Sequence, residues 1–318
     1  MNWATSWDST NTTSTSAVLP DRSGRVLVTG ASGFVGRELV PFLAERGHTV
    51  RAMVRQRSRA GGLADCADIV TGDLLDPESL RAACEGVQIV IHLAAVADSS
   101  DADLNQAVNV GGTRNLAEAA RAAGVDRVVN FSSTCAGRTL RDAYGDSKRL
   151  AEHELVGLRV THLRPAMIYG TGSKEWDLFV AVVRRLPAVP IPGTGRSVLR
   201  PVFVSDLLDL VGAVLDRDVS VGRTYDVAGP APITTGELVE MVGQAQGRRR
   251  RIIPLPAGPI VLAARVLGRL TERPFVNVDQ VMAFLQDTVV DIEPARRDLG
   301  FDPRPLVEGL DELFGGRS

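Results

Sequence analysis

The feature that most constrains this chain is the stretch Thr29-Gly30-Ala31-Ser32-Gly33-Phe34-Val35-Gly36, which follows the β-branched run Val26-Leu27-Val28 and opens an amphipathic segment running toward Gly47. Glycines at this spacing allow a tight turn, a close approach of backbone to a ligand and tight packing of helix on strand. The helix start behind the turn aims N–H groups and a partial positive charge at whatever the loop embraces, which suits a pyrophosphate. A strand, this loop and a helix in one βαβ unit predict dinucleotide binding through Gly30, Ser32, Gly33, Phe34, Val35 and Gly36.

The rest of the chain repeats the same pattern. Runs at 49–55, 68–72, 88–93 and 128–132 are short and rich in β-branched residues, and helical patterns such as 103–123 separate them. Near-continuous apolar strands between helices predict a parallel sheet covered on both faces. The fold class is therefore α/β, a doubly wound parallel (Rossmann) sheet with a smaller C-terminal substrate-binding lobe. The dinucleotide-binding domain is placed at 24–170, with 200–229 returning to it, and the lobe at 171–199 and 230–318. Pro41 predicts a local kink in the first helix. Residues 1–23, dominated by Ser and Thr, predict a disordered arm without the basic start and apolar stretch of a secretory signal.

Composition removes several alternatives. The 36 basic residues nearly cancel the 38 acidic ones, leaving a net charge of −2, so no global field is expected to hold a polyanion or an anionic membrane surface, and nucleic acid is not an expected partner. Cys66, Cys84 and Cys135 are too few and too irregular for a disulfide framework or a zinc site, which fits a reducing cytoplasm. No apolar run reaches the roughly 20 residues of a membrane span. His92 lies in an apolar strand with no second ligand at useful spacing and reads as a core histidine, so no metal is expected. The Arg248–Arg251 run reads as solvated charge.

Two further clusters bear on chemistry. An acid at the end of the second strand, about 20 residues beyond the glycines, would bind the ribose hydroxyls of NAD. This chain offers Val54-Arg55-Gln56-Arg57 instead. A guanidinium there pairs with a 2′-phosphate, so Arg55, helped by Arg57, favours NADP(H) while NAD(H) stays open. Asp73, with Leu74 beside it, ends the third strand, where its carboxylate can accept from an adenine amino group. Tyr144 and Lys148 are spaced i, i+4, one turn apart on one helix face. An adjacent ammonium lowers a tyrosine pKa from about 10 toward neutrality, where acid–base catalysis works best. Phe131-Ser132-Ser133-Thr134 precedes them at a strand end, supplying hydroxyls that can hold a substrate oxygen.

Taken together, these pieces resemble the extended branch of the short-chain dehydrogenase/reductase superfamily, the NAD(P)-dependent epimerase/dehydratase-like enzymes. The matching motifs are residues 29–36, Gly72-Asp73-Leu74, His92-Leu93-Ala94-Ala95, Asn109-Val110-Gly111-Gly112-Thr113, the Ser-Ser-Thr run, Tyr144 with Lys148, and Arg164-Pro165-Ala166-Met167-Ile168-Tyr169-Gly170. The resemblance implies that Tyr144 is the acid–base residue and that Lys148 binds the nicotinamide ribose. It further implies that Thr134, or failing that Ser133, fixes the substrate carbonyl. Leu93, Ala94 and Ala95 would pass beneath that ribose, and Pro165 to Ile168 would flank the nicotinamide. Asn109 is either part of the site or a helix-packing polar group. A homodimer is the family habit.

The reaction is narrowed by departures from the family. Sugar dehydratases of the branch carry an acidic pair after the site threonine, where this chain has Cys135-Ala136. Epimerases of the branch hold NAD through an acid where this chain has Arg55. Hydride transfer between NADP(H) and a carbonyl or secondary alcohol therefore fits best. An NAD-dependent nucleotide-sugar epimerase is the second reading. A non-catalytic NAD(P)H-binding assembly or regulatory protein is the third, because the nine residues between Thr134 and Tyr144 resemble the spacing in atypical members. Those members include a respiratory complex I subunit, which residues 199–206 and the surroundings of Asp279-Gln280 also resemble. Arg138, Arg141, Lys174 and Arg200 can line the mouth of a cleft. With Thr134, Arg138 and Arg200 at that mouth, an anionic small-molecule substrate such as a nucleotide-linked keto sugar is expected.

Overall fold

A computed structural model describes residues 24–96, 101–139, 141–262 and 285–315. The expected N-terminal arm, 1–23, and the Asp279-Gln280 pair lie outside the described residues.

The first strand, β1 (Arg25–Thr29), is central. It pairs in parallel with β2 (Thr49–Val54) on one side and β4 (Ile89–His92) on the other, and β3 (Asp68–Thr71) extends the sheet beyond β2. On the far side follow β5 (Arg127–Phe131), β6 (Val160–Pro165) and, after the separate β7 (Ala188–Pro192), β8 (Thr224–Val227). The resulting seven-stranded parallel sheet has the order β3-β2-β1-β4-β5-β6-β8. The order reverses between β1 and β4, and ligands of open α/β sheets bind beyond the carboxyl ends of the strands at that reversal.

Alternate residues of each strand face opposite layers, so β1 sends Val26 and Val28 to one core and Leu27 to the other. The first core lies against α1 (Phe34–Glu45) and, later in the chain, α7 (Val204–Asp216). The second lies against α2 (Pro77–Cys84), α4 (Gly112–Ala122) and α5 (Ala143–Glu154). Helix α1 continues through Pro41. Ahead of α4, the short α3 (Ala102–Asn105) and a π-helical segment, Gln106–Gly111, form one continuous run with it.

A third apolar cluster joins Trp176 and Val183 of α6 (Lys174–Arg185), Val189 and Ile191 of β7, Leu238 and Val242 of α8 (Thr235–Ala245), and Leu306 and Leu310 of the last helix, α10 (Leu306–Phe314). β9 (Arg251–Leu255) pairs with β7 alongside it. One boundary differs from the sequence reading, which placed all of 230–318 in the smaller lobe. Helix α9 (Glu293–Leu299) instead returns to the sheet, where Ala295, Leu299 and Phe301 join the first core. Their apolar stripe finds its partner on β8 and α7, and the left-handed turn at Gly300 (φ 69°) then releases the chain toward α10. No helix among the described residues is long and apolar enough to cross a membrane.

Candidate active site

The glycine loop turns as its sequence demands. Gly30 has φ +70°, and a Cβ there would stand 2.7 Å from the Ala94 nitrogen, so the loop lies directly against the strand end at Leu93 and Ala94. A Cβ on Gly36 would stand 2.5 Å from the Gly30 carbonyl oxygen. Gly33 starts α1 without a side-chain cap and without an acid in the first turn, whereas α2, α5, α6 and α8 are capped by Asp76, Asp142, Ser173 and Thr234. A bare helix start wrapped by close-packed glycine backbone is what a pyrophosphate needs. Asp76 takes the capping role that Asp73 could otherwise have held; Asp73 Oδ1 accepts from the Leu75 backbone N–H at 2.9 Å. Leu74 is buried, and its carbonyl accepts from Asn115 at 2.9 Å.

At the end of β2, Arg55 stands exposed and is paired with no acid among the described residues. Arg57 and Arg59 lie on the turn that follows. Sequence reasoning missed a companion: Arg37, the residue after the last glycine, donates from Nε to the Ser32 carbonyl at 3.1 Å and from Nη2 to the Arg59 carbonyl at 3.0 Å. It ties the phosphate loop to the arginine turn. Its position directly after Gly36 was the available signal.

Tyr144, half-buried, and Lys148, buried, sit one turn apart on α5. Lys148 Nζ donates to the Phe131 carbonyl at the end of β5, at 2.6 Å. Burial pulls its pKa down to about 8, while the Glu152 carboxylate, one turn further on, opposes that shift. Helix α5 packs on the 3-10 turn Thr134–Gly137, and Gly145 makes this possible: a Cβ there would stand 2.9 Å from the Cys135 carbonyl oxygen. The two candidate hydroxyls separate in role. Ser133 Oγ caps this turn by accepting from the Cys135 N–H at 3.2 Å, whereas Thr134 lines a cavity of about 310 Å³.

That cavity also meets Arg138, Arg164, Asp226 and residues 287–290. Arg138 donates to the Gln286 side-chain carbonyl. Arg200, also expected at the cleft mouth, does not line it. Its guanidinium donates to the carbonyls of Gly229 (3.0 Å), Val290 (2.9 Å) and Pro230 (3.1 Å). These bonds make Arg200 a tie between chain segments and correct its assignment as a substrate-facing cation. In the 164–168 motif the Ala166 N–H donates to the Val227 carbonyl and the Met167 carbonyl accepts from the Val202 N–H.

Beneath the site lies a polar network with no part in the sequence reading. Arg164 and Glu152 form a two-pronged ion pair at 2.8 and 2.6 Å. Burial pushes the Glu152 carboxyl up, but the Arg164 hydrogen bonds and charge override it and hold the group below its ordinary range. The same guanidinium underlies Gly137, whose Cβ would stand 3.2 Å from Arg164 Nη1. Glu152 lies i+4 from Lys148, so helical spacing alone could have pointed to it. Asn109, left open between two roles, ties the segment after β4 to α5. Its side chain brackets Val96 through N–H and carbonyl (2.8 and 2.9 Å) and donates to Ser147 of α5 at 2.9 Å. His92 is a satisfied core histidine between Thr29 and Thr113 (2.7 and 3.0 Å), neutral because burial drives its pKa down to about 3. Among the described residues no group of His, Cys, Asp or Glu could hold a metal ion, and all three cysteines are free thiols.

A glycine loop at the reversal of a doubly wound sheet, together with an i, i+4 tyrosine–lysine pair beyond it in the chain, is the pattern of an NAD(P)-dependent oxidoreductase of the extended short-chain type. The chain belongs to the NAD-dependent epimerase/dehydratase family, which it matches over residues 26–228. It is 30% identical to the 3 beta-hydroxysteroid dehydrogenase/Delta 5-->4-isomerase of Mycobacterium tuberculosis, over 90% of this chain and 88% of that protein. It is also 30% identical to the ceramide reductase of Caulobacter vibrioides, over 93% and 92% of the two chains. The solved structure of MoeE5 in complex with UDP-glucose and NAD is similar at a TM-score of 0.73 and 25% identity, covering 92% of this chain and 98% of that one.

Proposed function

We propose that this protein transfers hydride between NADP(H) and a carbonyl compound or secondary alcohol. The observation that carries the reading is the buried Lys148, fixed to the end of β5 one turn from Tyr144, in a chain whose second strand ends in Arg55 rather than an acid. Gly30 to Gly36 would hold the pyrophosphate, Arg55 with Arg57 the 2′-phosphate, Asp73 and Leu74 the adenine, and Leu93 to Ala95 with Pro165 to Ile168 the nicotinamide end. The nicotinamide, when bound, supplies or accepts the hydride. Thr134 orients the substrate oxygen by donating its hydroxyl proton. Tyr144 gives its proton to that oxygen in reduction and removes it in oxidation, and the Lys148 ammonium stabilises the phenolate left behind. The exposed Leu104 and Leu150, on α3 and α5, support a homodimer formed through these helices.

Arg55→Asp should weaken NADPH binding by about 10–100-fold, the worth of charge-assisted phosphate bonds, with NADH changed far less. Fluorescence titration with both cofactors decides the matter, and equal losses would remove Arg55 from the 2′-phosphate site. A second expectation follows from Lys148. Carbonyl reduction should decline as pH rises through about 8, where its ammonium loses the proton. Glu152→Gln should move that decline to lower pH, because the acid favours the charged lysine. A pH–rate profile without this limb, or one unmoved by the substitution, contradicts the assignment.

MoeE5, solved with UDP-glucose and NAD, supports a nucleotide-linked keto sugar as a candidate substrate and keeps an NAD-dependent nucleotide-sugar epimerase as the second reading. Purified protein carrying tightly held NAD and showing no net cofactor turnover would select it.

A further inference from the structure

Six arginines gather on one face of the C-terminal part of the molecule. Arg184 and Arg185 end α6, and Arg248, Arg249, Arg250 and Arg251 lead into β9. The parallel pairing of β7 with β9 sets Arg251 opposite Ala188 and so brings both groups to the same end of this two-stranded sheet. Arg250 donates to the carbonyls of Val183 and Arg184 at 2.6 and 2.7 Å, and Arg248 to that of Arg184 at 3.4 Å. These two satisfy the negative end of α6. Arg184, Arg185, Arg249 and Arg251 have no such task. All four are exposed, and none is within ion-pair distance of a carboxylate among the described residues. The chain as a whole carries a net charge of −2, so the cluster is a local concentration and not a reflection of a basic protein.

Apolar side chains continue the same face. Arg251, Ile253 and Leu255 alternate along β9 and therefore project to one side of it. Ile252, on the other side, packs into the third core. Ile253 is 45% exposed and Leu255 36% exposed. Leu186, directly after the α6 arginines, is 38% exposed. A nucleic acid or a free phosphate would use the guanidinium groups and leave these side chains idle. An anionic bilayer uses both, since headgroup phosphates meet the arginines while the aliphatic groups enter the boundary with the acyl chains.

We propose that this face, Arg184–Leu186 with Arg248–Leu255, docks the protein peripherally on an anionic lipid surface. The inference is independent of the hydride-transfer reading, because docking needs neither cofactor nor turnover.

Co-sedimentation of the full chain with phosphatidylcholine vesicles, with and without phosphatidylglycerol, tests it. Binding should require phosphatidylglycerol and fall as salt is raised. The double variant Arg249→Glu/Arg251→Glu should weaken binding at least about tenfold. Ile253→Ser/Leu255→Ser should weaken it several-fold at unchanged net charge. Both variants should keep the wild-type NADPH affinity and stay folded, since the altered side chains are exposed and lie outside the seven-stranded sheet and its site. Absence of binding to phosphatidylglycerol vesicles at low salt overturns the proposal. So does equal binding to vesicles of phosphatidylcholine alone. Wild-type vesicle binding by the serine variant, with short duplex DNA captured through the same arginines, would make the face a polyanion site instead.

Discussion

Replacement of Tyr144 by Phe is expected to lower the turnover of carbonyl reduction by about 10²–10⁴-fold, the usual worth of a positioned acid, while NADPH binds almost as before. The variant deletes one oxygen and keeps the ring, so α5 should keep its packing on the Thr134–Gly137 turn. Asp142 caps the helix, Ser147 meets Asn109, and Lys148 reaches the Phe131 carbonyl, and the variant keeps all three. Single-turnover measurement of NADPH consumption beside a cofactor titration separates chemistry from binding. A variant with wild-type turnover would remove Tyr144 from proton transfer and with it the reading of the site. Parallel loss of cofactor affinity would show that the hydroxyl supports the nicotinamide pocket instead.

The largest expected loss of stability is at Glu152→Ala, about 3–5 kcal/mol, because it leaves the Arg164 charge buried without its partner. Both side chains are shielded, at 9% and 13% exposure, and the pair joins α5 to β6 under the turn that carries Thr134. The effect should depend on pH in a definite direction. The folded Glu152 carboxyl is held below its ordinary range, so its contribution is fully present above the unfolded carboxylate pKa. It is lost as pH falls through the lower folded value. Thermal melts of both proteins across the acidic range should therefore diverge near neutrality and converge in strong acid. A neutral-pH melting temperature equal to wild type contradicts the account. Because the same guanidinium supports Gly137, any folded variant should also show a raised KM.

Much of the fold could be read directly from the chain. The glycine loop, the run of apolar strands and the tyrosine–lysine spacing each obey a local rule, and the doubly wound parallel sheet follows from the first two, although its last two strands did not stand out in the sequence. What escaped was non-local. Arg200 looks like a free cation in sequence, and only the convergence of Gly229, Pro230 and Val290 shows its guanidinium fully engaged. The return of 293–301 to the sheet was hidden because a short apolar helix does not say which core it joins. The Glu152–Arg164 pair was overlooked because its halves lie on different elements. The Arg248–Arg251 run was read as ordinary solvated charge, since nothing in the linear order announced Arg184 and Arg185 as neighbours.

The widened turn at Gln106–Gly111 has a consequence for how this architecture tolerates change. A π turn is in effect one residue inserted into a regular helix. Excising a residue from this span would restore ideal coiling and swing everything upstream about 100° around the axis. Asn109, which presently reaches both the loop after β4 and Ser147, would then lose its bridge between that loop and α5. Helical regularity and this bridge are thus in opposition here, and the molecule has settled in favour of the latter.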